Sequence, residues 1–453
     1  ANRITSFYRS NGYFVAQAYL PAQTIENGAV TMVVSEGEYG KITLNNQTNV
    51  SSSLANSLME GLQSADPVTT DRLENRLLLL SDLPGVKVKA TLLPGAVAGT
   101  SDLVVDLTPG QRFSGSVDAD NAGNRYTGEY RVGATLNLNE PLGLGDVASL
   151  RLLTSGVGLN YARASYQLQF GKATLGVAYS ALAYELGEEF ASLHATGTVR
   201  TTSLYGSYPL LRTRNSNLTA GLLLDDKVFQ DKIGTPTSVS DKKVQVLTAS
   251  LRGDSRDFLG GGGLNSFGLA ASAGNVDLQT PAVLAVDAAT ARTNGHFNKI
   301  TWSVSRVQWL SERVSLFASA NGQFASSNLD VSEKMELGGM YGVRAYPEGE
   351  AYADQGYVSS LEARFQVPKT SDSMPGQLQL IGFVDAGMVY SNRNPWSITD
   401  NRRTLSGAGV GVNWSDTNNF MVRAYYAVKL GDEVALSAPD RSGRFWIQAV
   451  KYF

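Results

Sequence analysis

The stretch Tyr130-Arg131-Val132-Gly133-Ala134-Thr135-Leu136-Asn137-Leu138-Asn139 alternates apolar side chains with polar or small ones along its whole length. A period of two is the period of a β-strand, because successive side chains point to opposite faces of the sheet. Residues 160–170 and 420–430 repeat the pattern. Such segments run for about 9–11 residues, the length that a tilted strand needs to cross a bilayer. The chain is therefore predicted to form strands of membrane-spanning length from about residue 110 to its end.

The polar faces of these strands predict a wet interior. They carry charged and amide side chains such as Arg131, Arg163 and Gln167, which a dry core could not accept but a water-filled lumen can. The connections also differ in length: a short turn at 139–141 contrasts with long polar stretches at 226–244 and 277–297. Short turns on one side and long loops on the other are typical of outer-membrane barrels. A soluble all-β protein is the alternative, because a sandwich gives the same local alternation.

The composition excludes several kinds of site. The 453 residues include no cysteine, which excludes disulfides and thiolate metal sites. The only histidines, His194 and His296, lie far apart, so neither imidazole catalysis nor a histidine-rich metal site is predicted. A net charge of −3 gives no basic field for nucleic acid. Residues 260–263 are all glycine but lack the lysine of a phosphate-binding loop and are interpreted as a turn. We expect no catalytic residue, metal or cofactor, and therefore no enzyme.

Neither a membrane helix nor a signal peptide is visible in the sequence. No apolar run approaches the roughly 18 residues that a helical span requires. If the protein is exported, the chain is expected to be a mature or truncated form.

The N-terminal quarter mixes helix and strand. One helical face collects Leu54, Leu58, Met59 and Leu62, and a second helix is predicted to start after Thr70 as N-cap and to stop before Pro84. With strands at Gly40–Leu44, Val86–Leu92 and Asp102–Leu107, the order becomes strand, helix, helix, strand, strand. Ahead of it we predict a short helix at Ile4–Gly12 and strands at Tyr13–Ala18 and Val30–Ser35.

Several motifs occur in a fixed order along nearly the whole chain. The N-terminal order of elements resembles the POTRA module of outer-membrane assembly and secretion proteins. Asp82-Leu83-Pro84-Gly85-Val86 and Asp120-Asn121-Ala122-Gly123 precede Gly342-Val343-Arg344-Ala345-Tyr346-Pro347, which is similar to a VRGY loop with alanine in place of glycine. Phe383-Val384-Asp385-Ala386-Gly387 then matches the strand motif FxDxG. Together these residues resemble the two-partner secretion transporters, also called the TpsB or hemolysin-activator family.

The resemblance implies a mainly β fold in three parts. Residues 1–39 are expected to be the C-terminal part of a first POTRA domain, and residues 40–109 a second POTRA domain. Residues 110–453 are expected to form a transmembrane antiparallel barrel of about 16 strands. A loop near residues 340–356 is expected to fold inward into this barrel.

The resemblance also implies the site residues. The loop motif consists of Val343, Arg344 and Tyr346, and in the family its arginine meets the aspartate of the FxDxG strand, here Asp385. The alternation in residues 377–388 independently points Asp385 into the lumen, where a guanidinium is a favourable partner for a carboxylate. The alternative is that Arg344 and Asp385 are separately solvated. Glu362 and Arg364 share the lumen-facing phase of their strand and are interpreted as pore-lining charges.

The function that the resemblance implies is protein secretion. The chain would be an outer-membrane pore, with its POTRA domains in the periplasm, that recognises a large exoprotein (an adhesin, a hemolysin or a contact-dependent toxin) and secretes it without ATP. An exposed POTRA strand edge could bind the unfolded exoprotein by β-augmentation. The C-terminal strand Phe445–Phe453 resembles the signal read by the barrel-assembly machinery, and the pore is expected to be monomeric. An outer-membrane protein assembly factor, a passive porin and, least favoured, an outer-membrane enzyme are the alternatives.

Overall fold

The computed structural model describes residues 1–25, 28–234, 238–369 and 374–453. These residues form a small N-terminal α/β part followed by a β-barrel. None of the helices within these ranges is long and apolar enough to span a bilayer.

The N-terminal part contains two small sheets. Its elements are α1 (Asn2–Ser10), β1 (Gln17–Tyr19), β2 (Val33–Ser35), β3 (Glu38–Asn46), α2 (Ser52–Met59), α3 (Thr70–Ser81), β4 (Val86–Pro94) and β5 (Thr100–Pro109). Strands β1 and β2 pair with each other, and β3, β5 and β4 form a sheet in that order. The two helices pack on this sheet through a core that includes the buried Leu58, Leu80, Leu103 and Leu107. The order strand, helix, helix, strand, strand that the sequence predicts is therefore present.

Two local predictions in this part are wrong. Thr69, not Thr70, is the N-cap of α3, and its side chain makes no capping hydrogen bond. Helix α2 does have a side-chain cap, because Ser51 Oγ accepts a hydrogen bond from the Leu54 amide at 3.2 Å. Strand β1 begins at Gln17 rather than Tyr13 because residues 11–15 form turns after α1.

Sixteen of the described strands close into one antiparallel barrel. They are β6 (Phe113–Asp120), β7 (Arg131–Asn139), β8 (Val147–Thr154), β9 (Leu159–Phe170), β10 (Ala173–Glu185), β11 (Thr196–Arg212), β12 (Ser216–Ile233), β13 (Ser238–Asp257), β14 (Gly263–Leu278), β15 (Gly295–Trp309), β16 (Val314–Ala325), β17 (Gln355–Gln366), β18 (Gln377–Tyr390), β19 (Arg402–Asp416), β20 (Phe420–Lys429) and β21 (Gly443–Tyr452). Strand β21 pairs with β6 from Gln448↔Asp120 to Tyr452↔Ser116 and closes the wall. The prediction of a mainly β barrel with about 16 strands is confirmed.

Side-chain alternation determines which face of each strand meets lipid. In β7 the apolar Val132 and Leu136 point outward and are 55% and 45% exposed. In β18 Leu380 and Val384 point outward, while Phe383 and Asp385 are buried inside. The period of two in the sequence therefore separates the lipid face from the lumen.

The prediction of a long polar connection at 226–244 is wrong. Strand β12 continues to Ile233 and β13 starts at Ser238, so most of this stretch is paired strand; residues 235–237 lie outside the described residues. These strands have 18 and 20 residues, about twice the 9–11 that cross a bilayer. A strand that extends beyond the membrane has water on both faces and loses its apolar alternation. The stretch 277–297, in contrast, contains the connection between β14 and β15 with helix α4 (Pro281–Ala289).

The N-terminal part is docked on the turn between β11 and β12. Arg212 donates from Nε and Nη2 to the two carboxylate oxygens of Asp82, each at 2.7 Å. Arg214 forms a second ion pair with Glu74 of α3 at 3.1 Å. Because β6 begins at this end of the barrel, the N-terminal part lies on the side of the short turns.

Candidate functional site

Residues 326–354 connect β16 to β17 and fold back into the barrel. Their centre is completely buried: Leu337, Val343, Ala345 and Tyr346 have no exposed surface. They pack against wall residues Ile381, Phe383, Leu405, Tyr425 and Trp446 in one hydrophobic cluster. A segment between two strands thus has an interior-like environment because the barrel wall surrounds it. We call residues 326–354 the inward loop.

Arg344 connects the inward loop to the wall through a fork of hydrogen bonds. Its Nε and Nη2 donate to Asp385 Oδ2 and Oδ1, both at 2.8 Å, and its backbone amide also donates to Oδ2 at 3.1 Å. Nη1 donates to Glu362 Oε1 at 2.9 Å, and Nη2 to Ser360 Oγ at 2.9 Å. Arg344 is 5% exposed and Asp385 is fully buried. The structure therefore brings Arg344 and Asp385 together and adds Glu362 to the pair.

The charges around Arg344 balance. Glu362 accepts from Arg344 on one oxygen and from Arg364 Nη2 on the other at 2.7 Å. Two guanidinium groups thus face two carboxylates. Glu362 and Arg364 do face the lumen, as their strand phase predicts, but they are paired rather than free pore-lining charges. Their link to Arg344 was missed, because alternation gives a side chain's direction and not its partner.

Two aromatic rings pack against the guanidinium group of Arg344. Arg344 Cζ lies 3.4 Å from the ring centroid of Phe383 and 4.9 Å from that of Tyr425. Trp446 Nε1 donates to the Arg344 carbonyl at 2.7 Å. Phe383 could have been found from the sequence, since it lies two residues before Asp385 on the same strand face. Tyr425 and Trp446 carry no comparable signal.

The other motif residues form the buried core of the inward loop. Val343 donates its amide to the Leu337 carbonyl at 2.9 Å, and Tyr346 Oη donates to the Glu433 carbonyl at 3.2 Å. Ala345 replaces the glycine of the motif without adopting a left-handed backbone. Its methyl group faces Gly407 of β19, where an added Cβ would lie 2.5 Å from the Ala345 Cβ. The wall thus provides room for alanine.

Two further carboxylates fix the end of the inward loop. Glu350, fully buried, accepts from Arg403 Nη1 at 2.7 Å and from the amides of Leu436 and Ser437, each at 2.9 Å. Asp354, also fully buried, accepts from the Leu329 amide at 3.0 Å and the Arg393 amide at 2.7 Å. Both belong to the stretch that follows the VRGY-like motif. The sequence alone predicts no role for them.

A second group of ion pairs lies at the start of the inward loop. Glu333 pairs with Lys227 at 2.7 Å and with Lys299 at 2.9 Å, and Asp330 pairs with Lys242 at 2.8 Å. The lysines belong to β12, β15 and β13. The sequence gives no sign of this group, because its members are far apart along the chain and form no motif.

Two protein families match parts of this chain. The family "Haemolysin secretion/activation protein ShlB/FhaC/HecB" matches residues 99–414. The family "POTRA domain, ShlB-type" matches residues 1–37.

Relatives match this chain over most or all of its length. The heme/hemopexin transporter protein HuxB of Haemophilus influenzae (strain 86-028NP) is 31% identical over 460 residues, which cover 100% of this chain and 80% of HuxB. The outer membrane transporter CdiB of Dickeya dadantii (strain 3937) is 26% identical over 90% of this chain and 72% of its own length.

Solved structures share the fold. CdiB from Escherichia coli superposes with a TM-score of 0.78 at 20% identity, covering 100% of this chain and 83% of CdiB. BamA from Haemophilus ducreyi gives 0.60 at 14% identity, covering 100% and 92%. At these identities the likeness shows the fold alone. The family resemblance seen in the sequence is confirmed: this chain belongs to the ShlB/FhaC/HecB family and is a TpsB-type outer-membrane transporter that acts with a secreted partner protein, not an enzyme.

Proposed function

We propose that this chain exports a large exoprotein of the adhesin, hemolysin or contact-dependent toxin classes to the cell surface without ATP. In this proposal, the inward loop closes the resting pore. One observation carries it: a segment of the chain occupies the lumen and is fixed to the wall by the buried Arg344. The relatives add support, since one is named a heme/hemopexin transporter protein and the other an outer membrane transporter.

We also propose that the chain consists of three functional parts. Residues 1–39 would be the C-terminal part of a first POTRA domain, residues 40–109 a second one, and residues 110–453 the barrel. The POTRA match at residues 1–37 and the separate core of the β3-β5-β4 sheet support this division. Strand β4 is an edge of that sheet and exposes Leu93. An unfolded exoprotein could pair with this edge by main-chain hydrogen bonds.

The inward loop is the element that must move. Substrate binding can shift such a segment only by interacting more favourably with the open state than with the closed one. The energy for export would then come from folding of the exoprotein outside the cell and from prevention of backsliding. This mechanism needs no nucleotide site.

We further propose that the pore works as a monomer and that the barrel-assembly machinery inserts it. The sixteen strands close on themselves through β6 and β21. The wall is therefore complete without a second chain.

Transport into liposomes tests the proposal. The purified full chain is reconstituted, an unfolded candidate exoprotein from each of the three classes is added outside, and no nucleotide is supplied. We expect one exoprotein to become resistant to added protease, because it has entered the vesicles. Liposomes with the barrel alone (residues 110–453) are the control and should transport much less. Transport that requires ATP, or insertion of added barrel proteins into the bilayer without transport of any exoprotein, would contradict the proposal.

A further inference from the structure

Three lysines of the barrel wall converge on one place in the lumen. Lys227, Lys242 and Lys299 all occupy inward-facing positions. The residues that follow them, Val228, Lys243 and Ile300, point outward and are exposed. In the structure they are covered by Asp330 and Glu333 of the inward loop. We call these three residues the lysine patch.

The lysine patch and its cover have the features of a built binding site. Glu333 lies between two lysines and is 3% exposed, and Asp330 accepts two hydrogen bonds from Lys242 Nζ at 2.8 and 3.0 Å. The Glu333 carbonyl also accepts from Lys299 Nζ at 2.9 Å and from Gln323 Nε2 at 3.2 Å. The site thus binds both carboxylates and a main-chain carbonyl, which are the groups that an acidic peptide presents.

An apolar pocket beside the lysine patch completes the site. Leu329, the residue before Asp330, is 1% exposed and packs in a cluster with Val244, Val246, Val276, Leu278 and Phe297. The loop segment therefore binds as a short peptide would, with one apolar side chain in a pocket and two carboxylates on lysines.

Departure of the inward loop would leave this site uncompensated. Three ammonium groups would face the lumen near one another, and like charges at short range repel. Lysine is a flexible point charge without the geometric demands of arginine, so other carboxylates can replace those of the loop. The Arg344 site differs, because its partners Asp385 and Glu362 belong to the wall and remain with the wall when the loop leaves.

We infer that the lysine patch is a docking site for an acidic segment of the exported polypeptide, and that Leu329, Asp330 and Glu333 occupy this site as an internal mimic while the pore is closed. The inference rests on the proposed function and names the chemistry by which the substrate competes with the inward loop. An acidic segment that enters the lumen replaces the loop carboxylates one for one. Displacement of the loop and capture of the substrate are then the same exchange of ion pairs.

The test measures block of the pore current by an oligoglutamate peptide in planar bilayers, with oligolysine as the opposite-charge probe. D330N/E333Q uncovers the lysine patch without changing side-chain shape. We expect oligoglutamate to block this variant at a concentration at least about tenfold lower than the wild type, because three ion pairs of the loop no longer compete with the peptide. K227Q/K242Q/K299Q should lose the block although its loop is also loosened.

A matched control removes a wall ion pair that the inward loop does not share. In D118N, Arg151 of β8 loses its partner on β6, to which it donates at 2.8 Å, and block should stay as in the wild type. Gel mobility with and without heating verifies that each barrel is folded, and K299Q alone, with a partial loss of block, replaces the triple variant if that does not assemble. Equal block of the aspartate/glutamate and lysine variants, or no block of either, would overturn the inference. Nucleotide-free transport by the wild type is measured separately, so this failure would leave the proposed function standing.

Discussion

The start and the centre of the inward loop are fixed to the barrel by different chemistry. Arg344 uses a planar guanidinium that donates along two parallel bonds to Asp385 and stacks on Phe383. Asp330 and Glu333 pair with lysine ammonium groups, which act as point charges and do not require a partner in one particular direction. The first arrangement specifies one position of the loop, whereas the second holds it and permits exchange. In the proposed mechanism, the arginine contact positions the loop and the lysine contacts are the ones that exchange when the loop is released.

The arginine and lysine contacts of the inward loop also differ in the burial of their cationic side chains. The Arg344 side chain is 6% exposed and that of Asp385 is not exposed at all, whereas the lysine side chains are 13–21% exposed. Removing one partner of a buried pair leaves a charge that water cannot reach. A partly exposed lysine can be rehydrated instead. The predictions below separate the two anchors, from the largest expected effect to the smallest.

Asp385→Ala is expected to have the largest effect. It leaves the Arg344 guanidinium buried with only Glu362 as a charged partner, and breaking a buried ion pair costs about 3–5 kcal/mol. The inward loop should move out of its position in the lumen, which single-channel recording detects as a larger and steadier current. D118N serves as the control for a lost wall carboxylate. The reversed pair R344D/D385R should recover part of the closed behaviour that either single reversal loses; no recovery would contradict a direct pairing.

Arg344→Lys should have an intermediate effect. Charge is kept, but the bidentate contact and the stacking on Phe383 are lost, and hydrogen bonds to charged groups contribute about 1.5–3 kcal/mol each. Limited proteolysis of the inward loop measures its release. The matched exchange K227R should change proteolysis little, because the lysine patch does not depend on planar geometry. Equal sensitivity to the two exchanges would remove the distinction between the anchors.

The sequence predicts the Arg344 anchor better than the lysine patch for a physical reason. The Arg344 and Asp385 motifs are local, and the strand period fixes the face on which Asp385 lies. The period also gives the direction of Glu362. It does not say which strands face each other across a lumen, so Tyr425, Trp446 and the three lysines could not be joined to the loop from sequence alone.

The fold shows the same limit. Alternation predicts the strands wherever one face meets lipid and the other faces the lumen, as in β7 and β18. It fails at residues 226–233 and 238–244, where β12 and β13 are longer than a bilayer crossing requires and polar side chains occur on both faces. Those residues form strands because they pair with the adjacent strand. A single polar segment carries no information about its pairing partner.

Glu333→Gln should have a smaller effect, of about 1–2 kcal/mol, since it removes the charge of a buried carboxylate whose two lysine partners are partly exposed. Added salt screens exposed charges more than buried ones. In the wild type the frequency of brief openings should therefore rise with salt. In E333Q the openings should already be frequent at low salt and change less. Salt dependence that is unchanged in E333Q would show that the lysine patch does not hold the loop.

The smallest expected effect, at most about 1.4 kcal/mol for each pH unit, is a pH dependence within the inward loop. Burial, and then the neighbouring carboxylate of Glu348, raise the pKa of Glu336 from 4.5 to about 8. The inserted loop therefore binds this proton more tightly than a released loop does, so insertion is favoured at low pH and weakens as the pH rises from 4.5 to about 8. Openings should be rarer at the acidic end of that window, and E336Q should abolish the change. An opposite slope, or the same slope in E336Q, would assign the dependence to another group.

The most direct test of the account is planar-bilayer conductance of the full chain compared with a deletion of residues 342–354, which leaves strand β17 intact. If the inward loop occludes the pore, the wild type gives a low or flickering current and the deletion gives a large, steady one. Large and steady currents from both proteins would contradict occlusion and would favour a passive channel.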